Sequence, residues 1–216
     1  MALNYGSDTQ QAVKVVEELG GKDHALAIQA DAGSIKGAED MVRETVNTFG
    51  KIDVLILNAG IMPMKTVEST SEAEFDRIFA LNVKGPYFLV QKALPQMASG
   101  SRVVFVSTSV IHASQLSPPY TLYASTKGAI EQMTHAFAKD LGSKGITVNA
   151  VAPGPTGTEL FLHGKSEELI QSISNFSPFK RIGEPDEIAD VFCFLASSAS
   201  RWISGQVILV NGGFAF

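Results

Sequence analysis

Ile52-Asp53-Val54-Leu55-Ile56-Leu57 runs directly into Asn58-Ala59-Gly60, and this stretch sets the reading of the whole chain. A nearly continuous aliphatic run of that length marks a strand buried on both faces, the kind found in parallel sheets. The small residues behind it let a ligand approach the backbone closely. Working outward, strand-like and helix-like segments alternate. Upstream, Ala2-Leu3-Asn4-Tyr5 reads as a strand. Ser7 with Gln10 has the form of a capping box, and Gly20-Gly21 stops the helix it opens. Residues 24–30 form a second strand ending at Asp31, and Ser34 caps a second helix that closes at Gly50. Downstream come a helical region over about residues 72–97, a strand at 102–106, a helix carrying Tyr123 and a strand at 146–151. A loop and short helix, a helix from Pro185 and a strand at 206–210 complete the chain. Such alternation predicts parallel strands joined by right-handed crossovers. Residues 1–216 read as one doubly wound, mostly parallel α/β domain.

Composition narrows the function. Seventeen Lys and Arg against 22 Asp and Glu give a net charge of −5, with no basic stripe, which argues against nucleic acid as a partner. No apolar run approaches the ~20 residues of a membrane helix, and the N-terminus lacks a secretory leader. A soluble, cytoplasmic protein without membrane partners is expected. Cys193, the single cysteine, stands in an apolar run and reads as a buried structural thiol. His24, His112, His135 and His163 are scattered without ligand spacing, so no metal site is expected. No G-x-S-x-G elbow suggests a serine hydrolase.

In doubly wound folds ligands bind beyond the carboxyl ends of the strands. The residues just past each strand are therefore informative: Asn58-Ala59-Gly60, then Ser107-Thr108-Ser109, then Ala152-Pro153-Gly154-Pro155-Thr156-Gly157-Thr158. Close by in the chain is Tyr123-Ala124-Ser125-Thr126-Lys127. On a helix, residues four apart share a face, so the Lys127 ammonium should sit beside the Tyr123 phenol and make its proton easier to move. Such a tyrosine is a candidate general acid or base at a carbonyl or alcohol oxygen. Pro86, lacking an N–H, cannot bond the carbonyl of Asn82, so the helix should bend there and leave that carbonyl free.

Asn58-Ala59-Gly60, Leu81-Asn82-Val83-Lys84-Gly85, Ser107-Thr108-Ser109, Tyr123-x-x-x-Lys127, Pro153-Gly154 and the closing Ser204-Gly205…Val210-Asn211-Gly212-Gly213 occur in a fixed order and spacing. In these the chain resembles the short-chain dehydrogenases/reductases over essentially its whole length. The resemblance implies a Rossmann-like fold and hydride exchange between NADP(H) or NAD(H) and a small-molecule carbonyl or secondary alcohol. It implies Tyr123 as acid/base, Lys127 assisting it and binding the nicotinamide ribose, and an Asn82 carbonyl that relays protons through water. Ser109, fourteen residues before Tyr123, is the expected holder of the substrate oxygen. Asn58, Ala59 and Gly60 would border the cofactor, Asp31 and Ala32 would flank the adenine, and Pro153, Gly154, Thr156 and Thr158 would lie near the nicotinamide carboxamide.

The family opens on a strand and a Gly-rich turn that cradles the pyrophosphate. That unit, about 30 residues, is expected to be absent upstream of Ala2. The strand would lie mid-sheet, so open edges, aggregation and weak NADPH binding are expected for this chain. At the end of the first strand, Asn4 and Tyr5 stand where an acidic residue would repel a 2′-phosphate, which favours NADP(H) over NAD(H). The resemblance also implies a homodimer or homotetramer for the complete protein. The alternative is a catalytically impaired fragment that acts by joining full-length relatives. Leu116, Pro118, Pro119 and Tyr120, with Leu160-Phe161-Leu162-His163, hint at an apolar or aromatic ketone.

Overall fold

A computed structural model describes residues 1–114 and 116–216. Six parallel strands are separated by helices. In order they are β1 (Ala2–Tyr5), α1 (Thr9–Glu18), β2 (Leu26–Gln29), α2 (Ile35–Phe49) and β3 (Val54–Leu57). α3 (Glu72–Phe79) runs through a π-turn at Ala80–Lys84 into α4 (Gly85–Ala93). Then come β4 (Arg102–Val106), α5 (Thr121–Leu141), β5 (Thr147–Pro153), α6 (Glu159–Leu162), α7 (Glu167–Ser174), α8 (Pro185–Ala196) and β6 (Val207–Val210). The architecture is the doubly wound α/β fold expected from the alternation.

The sheet is divided. β3, β4, β5 and β6 pair in that order, while β1 pairs only with β2. β1 and β3 therefore each keep one unpaired edge. Around the four-stranded sheet the strands bury both faces. Val103, Phe105, Val148 and Ala150 pack with Val90 and Ala93 of α4 and Ile130 and Leu141 of α5. Val104 and Val151 point the other way, onto Leu195 of α8. Alternate residues of one strand thus feed two cores, as a pleated strand requires. α2 ties the two sheets together: Val42 and Val46 join the core of the larger sheet, while the same helix packs on β2.

Three expectations need correction. Ile56 is 43% exposed, so β3 is not buried on both faces: its aliphatic sequence suits burial, but only β4 flanks it. The cap of α1 is Asp8, which accepts from the Gln11 N–H at 2.9 Å, and Ser7 lies outside the helix. Cys193 is exposed, because Leu195 and not Cys193 occupies the inward position of α8. Ser34 and Gly50 do cap α2, the serine accepting from Gly37 N–H and the glycine turning left-handed at φ 79°.

Candidate active site

Tyr123 and Lys127 lie on the first turns of α5 and are buried, 6% and 5% exposed. The Lys127 Nζ donates to the Val106 carbonyl at 2.7 Å and stands 5.6 Å from the centre of the Tyr123 ring. Anchored to the last residue of β4, the ammonium is fixed at the sheet edge and keeps further donor capacity there. Burial drives the electrostatics. It pushes the phenol up to about 12, with Tyr120 adding to the rise and a contact with Thr108 opposing it. It pulls the Lys127 ammonium down to about 8. The rise at Tyr123 is thus set by desolvation, which disfavours the charged form of a buried phenol.

Thr108 is the hydroxyl that bears on the Tyr123 phenol, opposing the rise that burial causes. Ser109 does not take that place. Its Oγ donates to the Ala152 carbonyl at 2.8 Å and accepts from the Asn211 Nδ2 at 3.0 Å, with no exposed surface. Spacing alone could not separate the two, since adjacent residues leaving a strand point to opposite sides. Ser109 instead fastens the ends of β4 and β5 to the C-terminal turn, where Asn211 also binds Ala215 O and Gly213 N–H.

Asn82 sits in the π-turn and is 2% exposed. Here the bend set by Pro86 takes the form of i→i+5 bonding, with Gly85 N–H reaching Ala80 O. The Asn82 side chain bonds both backbone groups of Ile61 at 2.9 Å and donates to Thr126 Oγ1 at 3.1 Å. It thereby clamps the loop after β3 onto α5. Gly60 fills the space between: a Cβ there would stand 3.2 Å from Asn82 Oδ1 and 3.9 Å from Lys127 Nζ. Gly60, three residues past the end of β3, thus lies beside the buried ammonium. This is an observation that fits a bound ribose hydroxyl.

The Asp31–Ala32 loop is held by contacts closer than any side chain permits. A Cβ on Gly37 would fall 2.0 Å from Asp31 O, and one on Gly85 1.9 Å from Ala32 O. The loop is wedged between α2 and the π-turn, so Asp31 and Ala32 belong to the same edge as Asn82. Asn4 is exposed at the end of β1. Its Nδ2 donates to Ala30 O at 2.9 Å and Ile28 O at 3.2 Å, tying β1 to the end of β2. Tyr5, the last residue of β1, accepts at its carbonyl from Ala30 N–H. At the end of β5, Pro153 completes the strand and Gly154 packs against Asn211, whose Cβ a methyl group there would meet at 2.8 Å. Thr156 is buried and returns its hydroxyl to Gly154 O, while Thr158 is exposed at the head of α6.

Sequence reading passed over a further cluster. Glu131, one turn beyond Lys127, accepts from Ser107 Oγ at 2.7 Å and contacts His112 Nε2 at 2.9 Å. The signal was present in the four-residue spacing from Lys127, which puts Glu131 on the same helix face. Among the described residues, no group of three or more His, Cys, Asp or Glu is placed to hold a metal, and no helix is long and apolar enough to cross a membrane.

Parallel strands, a buried phenol and ammonium on one helix, and hydroxyls at the carboxyl edge define a doubly wound α/β protein with a polar cluster where such folds bind their ligands. Known proteins agree. A family model described as enoyl-(acyl carrier protein) reductase matches residues 1–215. The chain is 36% identical to versicolorin reductase 1 of Aspergillus parasiticus, over 99% of this chain and 86% of that one. A short-chain dehydrogenase/reductase structure from Serratia marcescens superposes with a TM-score of 0.92 at 30% identity, covering 100% of this chain and 87% of that one. The angucycline C-6 ketoreductase LanV, solved with bound NADP, does so with a TM-score of 0.88 at 35% identity, covering 99% and 84%. The chain belongs to the short-chain dehydrogenase/reductase family, and it is an oxidoreductase acting on a small molecule.

Proposed function

We propose that the protein reduces a carbonyl, or oxidises the matching secondary alcohol, with Tyr123 as acid in one direction and base in the other. When bound, NADP(H) supplies or accepts the hydride. Tyr123 delivers its proton to the carbonyl oxygen, and Thr108 donates a second hydrogen bond to that oxygen and orients it. Lys127 binds the ribose beside Gly60 and stabilises negative charge as the phenol ionises. The Asn82 carbonyl relays protons to Lys127 through water. Burial keeps the phenol in its protonated form, the form that donates to a carbonyl oxygen. The observation that carries the reading is the convergence of Thr108, Tyr123 and Lys127 at the ends of β3 and β4.

For the cofactor, Tyr5, Asp31, Ala32, Asn58, Ala59, Gly60, Pro153, Gly154, Thr156 and Thr158 are proposed as its border. NADP(H) over NAD(H) is supported by the neutral end of β1 and by two solved relatives that hold NADP. Asn4 belongs to that neutral end and is proposed with Tyr5 as part of the border. We further propose that one more β-α unit seats its strand between the open edges of β1 and β3 and brings the pyrophosphate-binding turn. The unpaired edges and the exposed Ile56 support it. An apolar or aromatic ketone is proposed as substrate. Ile61, Met62, Phe79 and Tyr120 pack against the apolar cluster of Ile78, Leu122 and Tyr123, and the names of an angucycline C-6 ketoreductase and a hydroxynaphthalene reductase-like relative support the aromatic choice. A homodimer or homotetramer is supported by the apolar groove of Tyr87, Met133, Ala136 and Phe137 on α4 and α5.

The test is steady-state reduction of an aromatic ketone at saturating NADPH. Tyr123→Phe is expected to lower kcat by roughly 10²- to 10⁴-fold. Thr108→Val should cost about tenfold or more, and more than Ser109→Ala at equal folded fraction. A Tyr123→Phe variant that turns over normally would refute the reading.

A further inference from the structure

We infer that Glu131 is a positioning residue: its carboxylate fastens the Ser107–His112 segment at both ends and so holds the Thr108 hydroxyl against Tyr123. The inference rests on the proposed carbonyl reduction and adds to it a part that acts through Thr108 without touching substrate.

Tyr123, Lys127 and Glu131 succeed one another at four-residue steps on α5, so a single stripe of the helix carries the phenol, the ammonium and the carboxylate. The Glu131 side chain is only 14% exposed. One oxygen, Oε1, takes both Ser107 Oγ–H and His112 Nε2. A hydrogen bond to an ionised acceptor is about twice as strong as a neutral one, and shielding from water strengthens it further. Ser107 is the first residue after β4 and is itself pinned, its N–H donating to Val151 O at 2.7 Å. His112 ends the short 3₁₀ turn that begins at Ser109. Thr108 caps that turn by accepting from Val110 N–H. Thr108 therefore lies between the two points that Glu131 grips, and Ser109 beside it is tied to Ala152 and Asn211.

The geometry leaves the hydroxyl little freedom. It also makes its distance from the phenol a property of α5 itself, because phenol and carboxylate ride on the same rigid helix. Loss of the carboxylate would release both flanks of the segment while leaving Tyr123 and Lys127 in place. A misplacement of about 1 Å at a reacting group is enough to cost about 100-fold in rate.

Two measurements test this: amide hydrogen exchange in the 216-residue chain, and carbonyl reduction at saturating NADPH by the protein that carries the proposed further β-α unit. Glu131→Ala should speed exchange in residues 107–112 by about tenfold or more while the core of β4, β5 and α5 keeps its protection. It should lower kcat by about tenfold or more with the KM for NADPH nearly unchanged. Glu131→Gln keeps an oxygen acceptor at the same place and should restore most of both. His112→Ala added to Glu131→Ala should cost little beyond Glu131→Ala alone. Unchanged exchange in Glu131→Ala overturns the anchoring. Faster exchange with unchanged kcat overturns the positioning role, and so does exchange that rises evenly through the chain. If Tyr123→Phe keeps full activity, the proposed function fails instead, and the exchange result still decides the anchoring.

Discussion

The two sheets are built from equally apolar strands and end up very differently buried. In β4 and β5, Val103, Val104, Phe105, Val148, Ala150 and Val151 are at most 1% exposed. In β1 no residue is buried, and in β2 only Ile28 is. The contrast does not come from hydrophobicity, since Leu3, Leu26 and Ile28 match their counterparts in kind. It comes from neighbours: β4 and β5 have strands on both edges and helices on both faces, whereas β1 and β2 have one strand partner each. Tyr123, Thr108 and Lys127 stand on the well-packed side. The loops proposed to hold the adenosine end stand partly on the other.

Two substitutions probe that difference, the larger effect first. Phe105→Ala, in the middle of the larger sheet, should destabilise by about 3–5 kcal/mol. Leu3→Ala in β1 should cost about 1 kcal/mol or less. Urea melts with equal losses at the two positions would break the comparison.

Lys127→Met should stabilise the protein by about 2–3 kcal/mol at pH 7 while removing activity. The sign comes from the burial that lowers its pKa from 10.5 to about 8. Below pH 8 the native state holds a charge that water would solvate better. Between 8 and 10.5 the unfolded chain binds a proton that the native state has released, so this group's contribution to stability rises with pH. The advantage of the methionine variant should therefore shrink from pH 8 to 10.5. An advantage independent of pH would show that Lys127 is not the desolvated group. The smallest effect concerns α1: Asp8→Ala should cost about 1 kcal/mol, and Ser7→Ala should stay within about 0.5 kcal/mol. The reverse ranking in thermal melts would restore Ser7 as the cap.

Much of this was legible in the chain. Alternation gave the fold class, Ser34 and Gly50 the ends of α2, and the Tyr123–Lys127 spacing the heart of the site. The rest depended on which way side chains point after a strand ends. Thr108 and Ser109 have similar chemistry and neighbouring positions, and only the course of the backbone past Val106 turns one toward Tyr123 and the other toward Asn211. The ties of Asn4 were hidden because its partners, Ile28 and Ala30, are more than twenty residues away. Ser7 and Asp8 are both good caps, and the carboxylate one residue later wins. Cys193 and Ile56 misled for one reason: an apolar sequence records what a residue tolerates, and exposure depends on what lies opposite.

The wedge of Asp31 and Ala32 between Gly37 and Gly85 makes a caliper. Its jaws are backbone against backbone, with no side chain in the gap to flex or swap rotamer. One arm reaches through the π-turn and Asn82 to the loop after β3 and on to α5; the other is the first turn of α2. The opening between α2 and the π-turn is thus set by peptide geometry, and a side chain larger than hydrogen at either glycine would have to pry the jaws apart.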